Sequence, residues 1–103
     1  MTEFTQKVYN LVKKIPKGKV STYKDIAQAL HTRAYRAVGN ALANNHFSSV
    51  PCHRIIKSDG SLGGFQGRAN NKKKRFILEK EGIRFEKGKV KDFLKIRFSP
   101  KTI

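Results

Sequence analysis

One cysteine in 103 residues, no tryptophan and only seven acidic side chains define what this sequence has little of. The single cysteine, Cys52, excludes an intramolecular disulfide. With three histidines as the only other strong soft ligands, no zinc pattern of paired Cys and His can be assembled, so neither metal nor cofactor is expected. A reducing, intracellular location is the simplest expectation. No apolar run approaches the roughly 20 residues of a membrane span, and no basic segment followed by an apolar stretch opens the chain. The sequence therefore predicts a soluble protein with no membrane partner. The scarcity of acid matters most: 23 Lys and Arg against seven Asp and Glu leave a charge of +16. Such an excess repels itself unless an anionic partner or solvent ions offset it. Nucleic acid fits, because a basic surface that neutralises phosphates releases counterions. The plainer alternative is a lysine-rich proteome in which this charge is only solvated surface.

By length the chain is one domain over 1–103, able to fold alone by burying roughly 60–65% of its unfolded surface. No repeat, long linker or second domain is visible. Phe4, Val8, Leu11, Val12 and Ile15 recur at helical spacing, which predicts an amphipathic helix over 3–14 that ends before Pro16. Thr22 and Asp25 have capping-box spacing and open a second helix to about Leu30. A third runs over 34–43, and the pair resembles a helix-turn-helix with the third helix in the recognition position. Val38, Leu42, Ala34 and Ala41 can face the core, leaving Arg36, Gly39, Asn40 and Ala43 opposite. That side is flat enough for close approach to another helix or, given Arg36 and the net charge, to DNA.

Residues 55–57 read as a short strand and 58–60 as a turn. Gly63, Gly64 and Gly67 around Phe65 mark a loop able to present backbone amides to a substrate, or simply a surface loop. A basic helix is expected over 71–81, with Phe76, Ile77 and Leu78 inward and Gly82 as its cap. Lys72, Lys73, Lys74 and Arg75 read as a solvated face or a phosphate contact. Residues 83–86, a turn at 87–89 and residues 92–98 suggest a terminal hairpin. The expected fold is mainly α with small β elements, helix-turn-helix or winged-helix-like.

Pro51-Cys52-His53-Arg54 holds the thiol between a proline and two potentially cationic side chains. Nearby positive charge or a general base favours the thiolate, the reactive form. Pro51 fixes its own φ and biases Val50 toward an extended conformation, so the thiol is expected on a rigid, irregular segment. The competing reading is a small buried hydrophobe, the usual fate of a free cysteine.

Ile15-Pro16-Lys17-Gly18-Lys19-Val20, Tyr23-Lys24-Asp25-Ile26-Ala27, Arg36-Ala37-Val38-Gly39-Asn40-Ala41, Asn45, Pro51-Cys52-His53-Arg54, Gly63-Gly64-Phe65 and Glu81-Gly82 follow one another in an order that resembles the DNA-binding and active-site domain of the 6-O-alkylguanine-DNA alkyltransferases. The resemblance covers about residues 4–82. It implies base flipping from duplex DNA, docked through the minor groove, and irreversible transfer of the alkyl group to Cys52. It further implies His53 as the base, generally through a water, and Glu81 as the carboxylate that orients it. Tyr23 would crowd a phosphate and donate to guanine as charge develops. Arg36 would enter the stack from a helix whose Ala37, Gly39 and Asn40 meet the groove. Asn45 would be the hinge asparagine by its distance from Arg36, with the adjacent Asn44 as the alternative. Ile55 would line the pocket through its carbonyl, Phe65 would lie against the base and the Gln66 amide would meet the guanine oxygen. Pro51 and Arg54 would have structural roles, Arg54 bonding backbone or hinge groups.

A monomer is expected, cooperative on DNA or not, cytoplasmic and nucleoid-associated in a prokaryote or nuclear in a eukaryote. Many family members carry an additional N-terminal domain, and this chain starts almost at the first helix of the active-site domain. The main competitor is an alkyltransferase-like binder, a class that recognises damaged bases without repairing them and typically lacks the cysteine. A winged-helix regulator and a Cys-His hydrolase are further alternatives.

Overall fold

Helix α1 (Glu3–Val12) begins where Thr2 accepts a hydrogen bond from the Thr5 amide and buries Val8, Tyr9, Leu11 and Val12. The computed structural model describes residues 2–45, 47–63 and 72–100 of the chain. After α1 the chain tightens through Lys14 and Ile15 to Pro16, which cannot donate to a further helical turn. Strand β1 (Ser21–Thr22) leads directly into α2 (Tyr23–Ala29). The expected capping box closes this start: Asp25 N–H donates to the Thr22 hydroxyl, and Thr22 N–H donates to the Asp25 carboxylate.

Helix α3 (Tyr35–Ala43) packs on α1 and α2 through buried Val38, Ala41 and Leu42. The Tyr9 hydroxyl donates to the Ala41 carbonyl at 2.8 Å and ties α1 to α3. These helices, with Ile15, Ile26, Ala27, Val50 and Ile55, enclose the main core. Ala34, expected inward, is exposed, because the helix begins at Tyr35 and Ala34 stands outside its first turn.

A 3₁₀ turn (Cys52–Arg54) precedes β2 (Ile55–Ile56), which pairs in parallel with β1, Ser21 opposite Ile55 and Thr22 opposite Ile56. Helix α4 (Lys72–Lys80) buries Lys74 and Leu78, one turn apart on one face. Phe76, expected inward, is 57% exposed: it lies about 160° around the helix from Leu78, and its ring is covered by the Lys80 ammonium at 4.6 Å. The expected cap holds, since Gly82 takes φ +94 while its N–H donates to Glu79 and that of Ile83 donates to Leu78.

The expected terminal hairpin exists but is shorter. Strands β3 (Phe85–Glu86) and β4 (Lys89–Val90) form it, whereas residues 93–96, expected in its second strand, form the short helix α5 (Phe93–Ile96). Asp92 at φ +57 ends the extended run, and its carbonyl accepts from Lys95 and Ile96. The chain then returns beside β1, where Phe98 N–H donates to Val20 and Val20 N–H to Ile96. A second apolar cluster of Val20, Ile56, Leu62, Leu78, Ile83 and Val90 joins this extension to the rest.

Candidate active site

The 3₁₀ turn presents Cys52, His53 and Arg54 in succession, all half-buried, at the edge of the main core. Cys52 is a free thiol. Its neighbour His53 turns toward the end of α4, where Nε2 lies 3.1 Å from Oε2 of Glu81. Arg54 turns the same way and grips Glu81 with two donors, Nε to Oε1 at 3.0 Å and Nη2 to Oε2 at 2.6 Å. Its remaining arm, Nη1, donates to the Ile15 carbonyl at 2.9 Å, a group without a helical donor because Lys19 N–H bonds the Pro16 carbonyl instead.

Burial pushes the His53 pKa below its ordinary value, and the Arg54 and Lys74 charges add to this against the opposing pull of Glu81. The imidazole is therefore neutral near pH 7, and the contact with Glu81 is a hydrogen bond rather than an ion pair. Burial also opposes ionisation of Glu81, yet the hydrogen bonds from Arg54 and His53 outweigh it and hold the carboxyl below the usual carboxylate range. An ionised carboxylate can only accept, so Nε2 carries the imidazole hydrogen and Nδ1 keeps a lone pair. A neutral base, held in one tautomer on the same turn as the thiol, is the consequence.

Tyr23, the first residue of α2, stands half-buried across from this turn. Burial raises its pKa, and a charge on Cys52 raises it further, so the phenol keeps its proton near pH 7. Its hydroxyl faces Gly63, where φ is +70 and a Cβ would meet it at 3.4 Å. Tyr23, Tyr35, Arg36, Gly39, Lys57 and Gly63 line an opening of about 300 Å³.

Arg36 and Asn40 are exposed on α3, Ala37 and Gly39 half-exposed. A side chain added at Gly39 would meet nothing within 4 Å among the described residues, so packing against them does not explain the glycine. Asn45 is buried between α3 and the cysteine turn: Nδ2 donates to the Val50 carbonyl and Oδ1 accepts from Phe47 N–H. Asn44 instead is exposed and bonds back to Asn40 within the helix end. Ile55 is buried and Pro51 half-buried. The expected roles of Phe65 and Gln66 fall on residues outside those described.

Two features escape the sequence reading. The Arg54 grip on Glu81 has no local pattern, since only the fold brings residues 54 and 81 together. Lys74, expected on a solvated or phosphate-binding face, is instead 1% exposed. Its ammonium donates to the Leu62 carbonyl at 2.7 Å and lies 5.8 Å from the centre of the Tyr23 ring. Burial lowers its pKa from 10.5 to about 8, while attraction to Cys52 opposes the fall. The spacing of Lys74 from Leu78, one helical turn, was the available signal. Among the described residues no three His, Cys, Asp or Glu side chains converge as a metal site requires, and no helix is long and apolar enough to cross a membrane.

Comparison with known proteins places these residues in context. The family model described as "6-O-methylguanine DNA methyltransferase, DNA binding domain" matches residues 3–83. A methylated-DNA--protein-cysteine methyltransferase of Methanocaldococcus jannaschii is 49% identical, covering 79% of this chain and 47% of that protein. One of Sulfolobus acidocaldarius is 47% identical, covering 84% and 54%. The chain thus spans about half the length of these curated relatives. The structure of S. pombe Atl1 in complex with damaged DNA containing O6-carboxymethylguanine superposes with a TM-score of 0.84 at 35% identity, covering 97% of this chain and 98% of that one. Mycobacterium tuberculosis OGT in complex with DNA gives 0.71 at 40% identity, covering 79% and 50%.

Proposed function

Because the chain belongs to the family of 6-O-methylguanine DNA methyltransferase DNA-binding domains, we propose that it repairs duplex DNA by moving an alkyl group from the 6-oxygen of guanine to Cys52, once per molecule. The observation that supports this reading is a neutral imidazole whose tautomer Glu81 and Arg54 fix, carried on the same 3₁₀ turn as the Cys52 thiol. Nδ1 of His53 receives the thiol proton, directly or through a water. The thiolate sulfur then attacks the alkyl carbon, and the carbon–oxygen bond breaks with its electron pair leaving on guanine. Tyr23, still protonated, passes its proton to the departing guanine anion, and the proton taken by His53 replaces it on the Tyr23 oxygen, so both side chains end neutral. The products are S-alkylcysteine and guanine. Lys74 favours this course electrostatically, since a buried ammonium stabilises a thiolate close by.

The damaged base must leave the stack to reach Cys52. The opening between Tyr23, Arg36 and Gly63 supports that route, with α3 laid in the minor groove and Arg36 filling the gap. Asn45, by tying the end of α3 to the cysteine turn, positions groove and thiol relative to each other.

A second reading, binding of damaged bases without transfer, is favoured by the end-to-end match to S. pombe Atl1. The presence of Cys52 argues for transfer. Incubation with an oligonucleotide containing 6-O-methylguanine, followed by mass measurement, separates them. Transfer predicts one methyl adduct per molecule on Cys52 and none on Cys52→Ala; tight binding with an unchanged mass would establish the binder instead.

A further inference from the structure

A strip of positive charge continues from the opening beside Tyr23 to the tip of the C-terminal hairpin. Lys57 lines the opening. The Asp59 carboxyl is held below its usual range by hydrogen bonds from the Ser61 hydroxyl and amide, and further by the charges of Lys89 and Lys57, which thus flank it. The hairpin is fastened at this point, Lys89 bridging to Ser61 and Val90 N–H donating to the Gly60 carbonyl at 2.9 Å. Exposed acids along it are Asp59, Asp92 and Glu86, the last opposite Lys89 in the β3–β4 ladder. Against them stand Lys57, Arg84, Lys87, Lys89 and Lys91, all exposed. Positive charge is in excess, five cations against three acids.

The tip itself is informative. Lys87 and Gly88 have φ of +52 and +78, the two-residue turn whose twist matches the flanking strands. Asn, Asp or Gly takes the first of these positions with least strain, and lysine does not. A residue poorly suited to its backbone therefore projects an ammonium at the outermost point of the hairpin.

We propose that this hairpin is a wing that grips the phosphate backbone of the same duplex that α3 engages, extending the interface from Lys57 to Lys87 and Lys89. The proposal rests on the DNA reading above but not on alkyl transfer. The wing lies beyond residue 83, where the family match ends.

Equilibrium binding of an undamaged duplex, followed against salt, tests it for the natural protein, Lys87→Asn, and Lys87→Asn combined with Lys89→Gln. Because asparagine suits the turn, Lys87→Asn keeps or raises the melting temperature, so lost affinity is not lost fold. Each phosphate contact contributes about 0.9 to the slope of log affinity against log salt. The slope is expected to fall by about one in the single variant and about two in the double variant. An unchanged slope in the folded double variant overturns the wing. So does a loss no larger than that of Lys7→Gln on α1, which would reduce the effect to net charge. Absence of salt-dependent duplex binding by the natural protein would sink the DNA reading itself, a result distinct from either.

Discussion

Lys74 is charged at neutral pH although nearly all of its surface is withdrawn from water. Burying an ammonium is unfavourable even with a carbonyl partner such as Leu62, so this side chain lowers stability near pH 7. The folded protein releases the Lys74 proton near pH 8 and the unfolded chain near 10.5. Between those values the unfolded state holds the extra proton, so stability rises with pH, by up to about 3 kcal/mol from this group. Lys74→Met should abolish that rise in denaturant titrations at pH 7.5 and 10 while slowing alkyl transfer at pH 7. A transfer rate equal to that of the natural protein would count against Lys74 as a support of the thiolate. Glu81 likewise stands against local preference. It caps the C-terminal end of α4, where the helix dipole disfavours a carboxylate, and Arg54 and His53 compensate.

Helix α3 carries the prediction at the level of elements. Alanine suits a helix interior better than glycine by roughly 0.5–1 kcal/mol, and a methyl at Gly39 meets nothing among the described residues. Gly39→Ala should therefore raise the melting temperature slightly and weaken duplex binding, while transfer from the free alkylguanine base stays unchanged. Equal duplex affinity in the variant would mean that the groove does not approach this face. The helices were legible because apolar periodicity, the Thr22–Asp25 box and the Gly82 cap are local signals. Legibility failed where several partners compete for one residue. Phe76, Ile77 and Leu78 cannot share a face at 100° per residue, and Leu78 occupies the inner side with Lys74. The 92–98 segment alternates like a strand, yet Asp92 turns it into α5 and its last residues pair with Val20. At the site, the family resemblance named His53 and Glu81, but nothing in sequence placed Arg54 on the same carboxylate.

For the whole molecule, the C-terminal segment secures the helix that carries Tyr23. Arg97 grips Asp25 of the capping box with Nε at 3.0 Å and Nη2 at 2.5 Å, and the Ser21 hydroxyl donates to the Phe98 carbonyl. The Asp25 side chain is 4% exposed and that of Arg97 34%, so Arg97→Ala leaves a buried carboxylate short of donors. A loss of about 1–2 kcal/mol is expected, read as a fall of about 5–10 °C in thermal unfolding. Burial opposes Asp25 ionisation, but Arg97 and Thr22 hold its pKa below 3.8, so the stabilisation is present above that pH and fades as acid is added. A variant that melts as the natural protein does at pH 7 would show the grip to be decorative. The closure between residues 20 and 98 also bears on how the protein is made. Val20 receives its partners only after residues 96–98 have left the ribosome, so the α2 start and the cysteine turn it adjoins mature no earlier than the segment that closes on them.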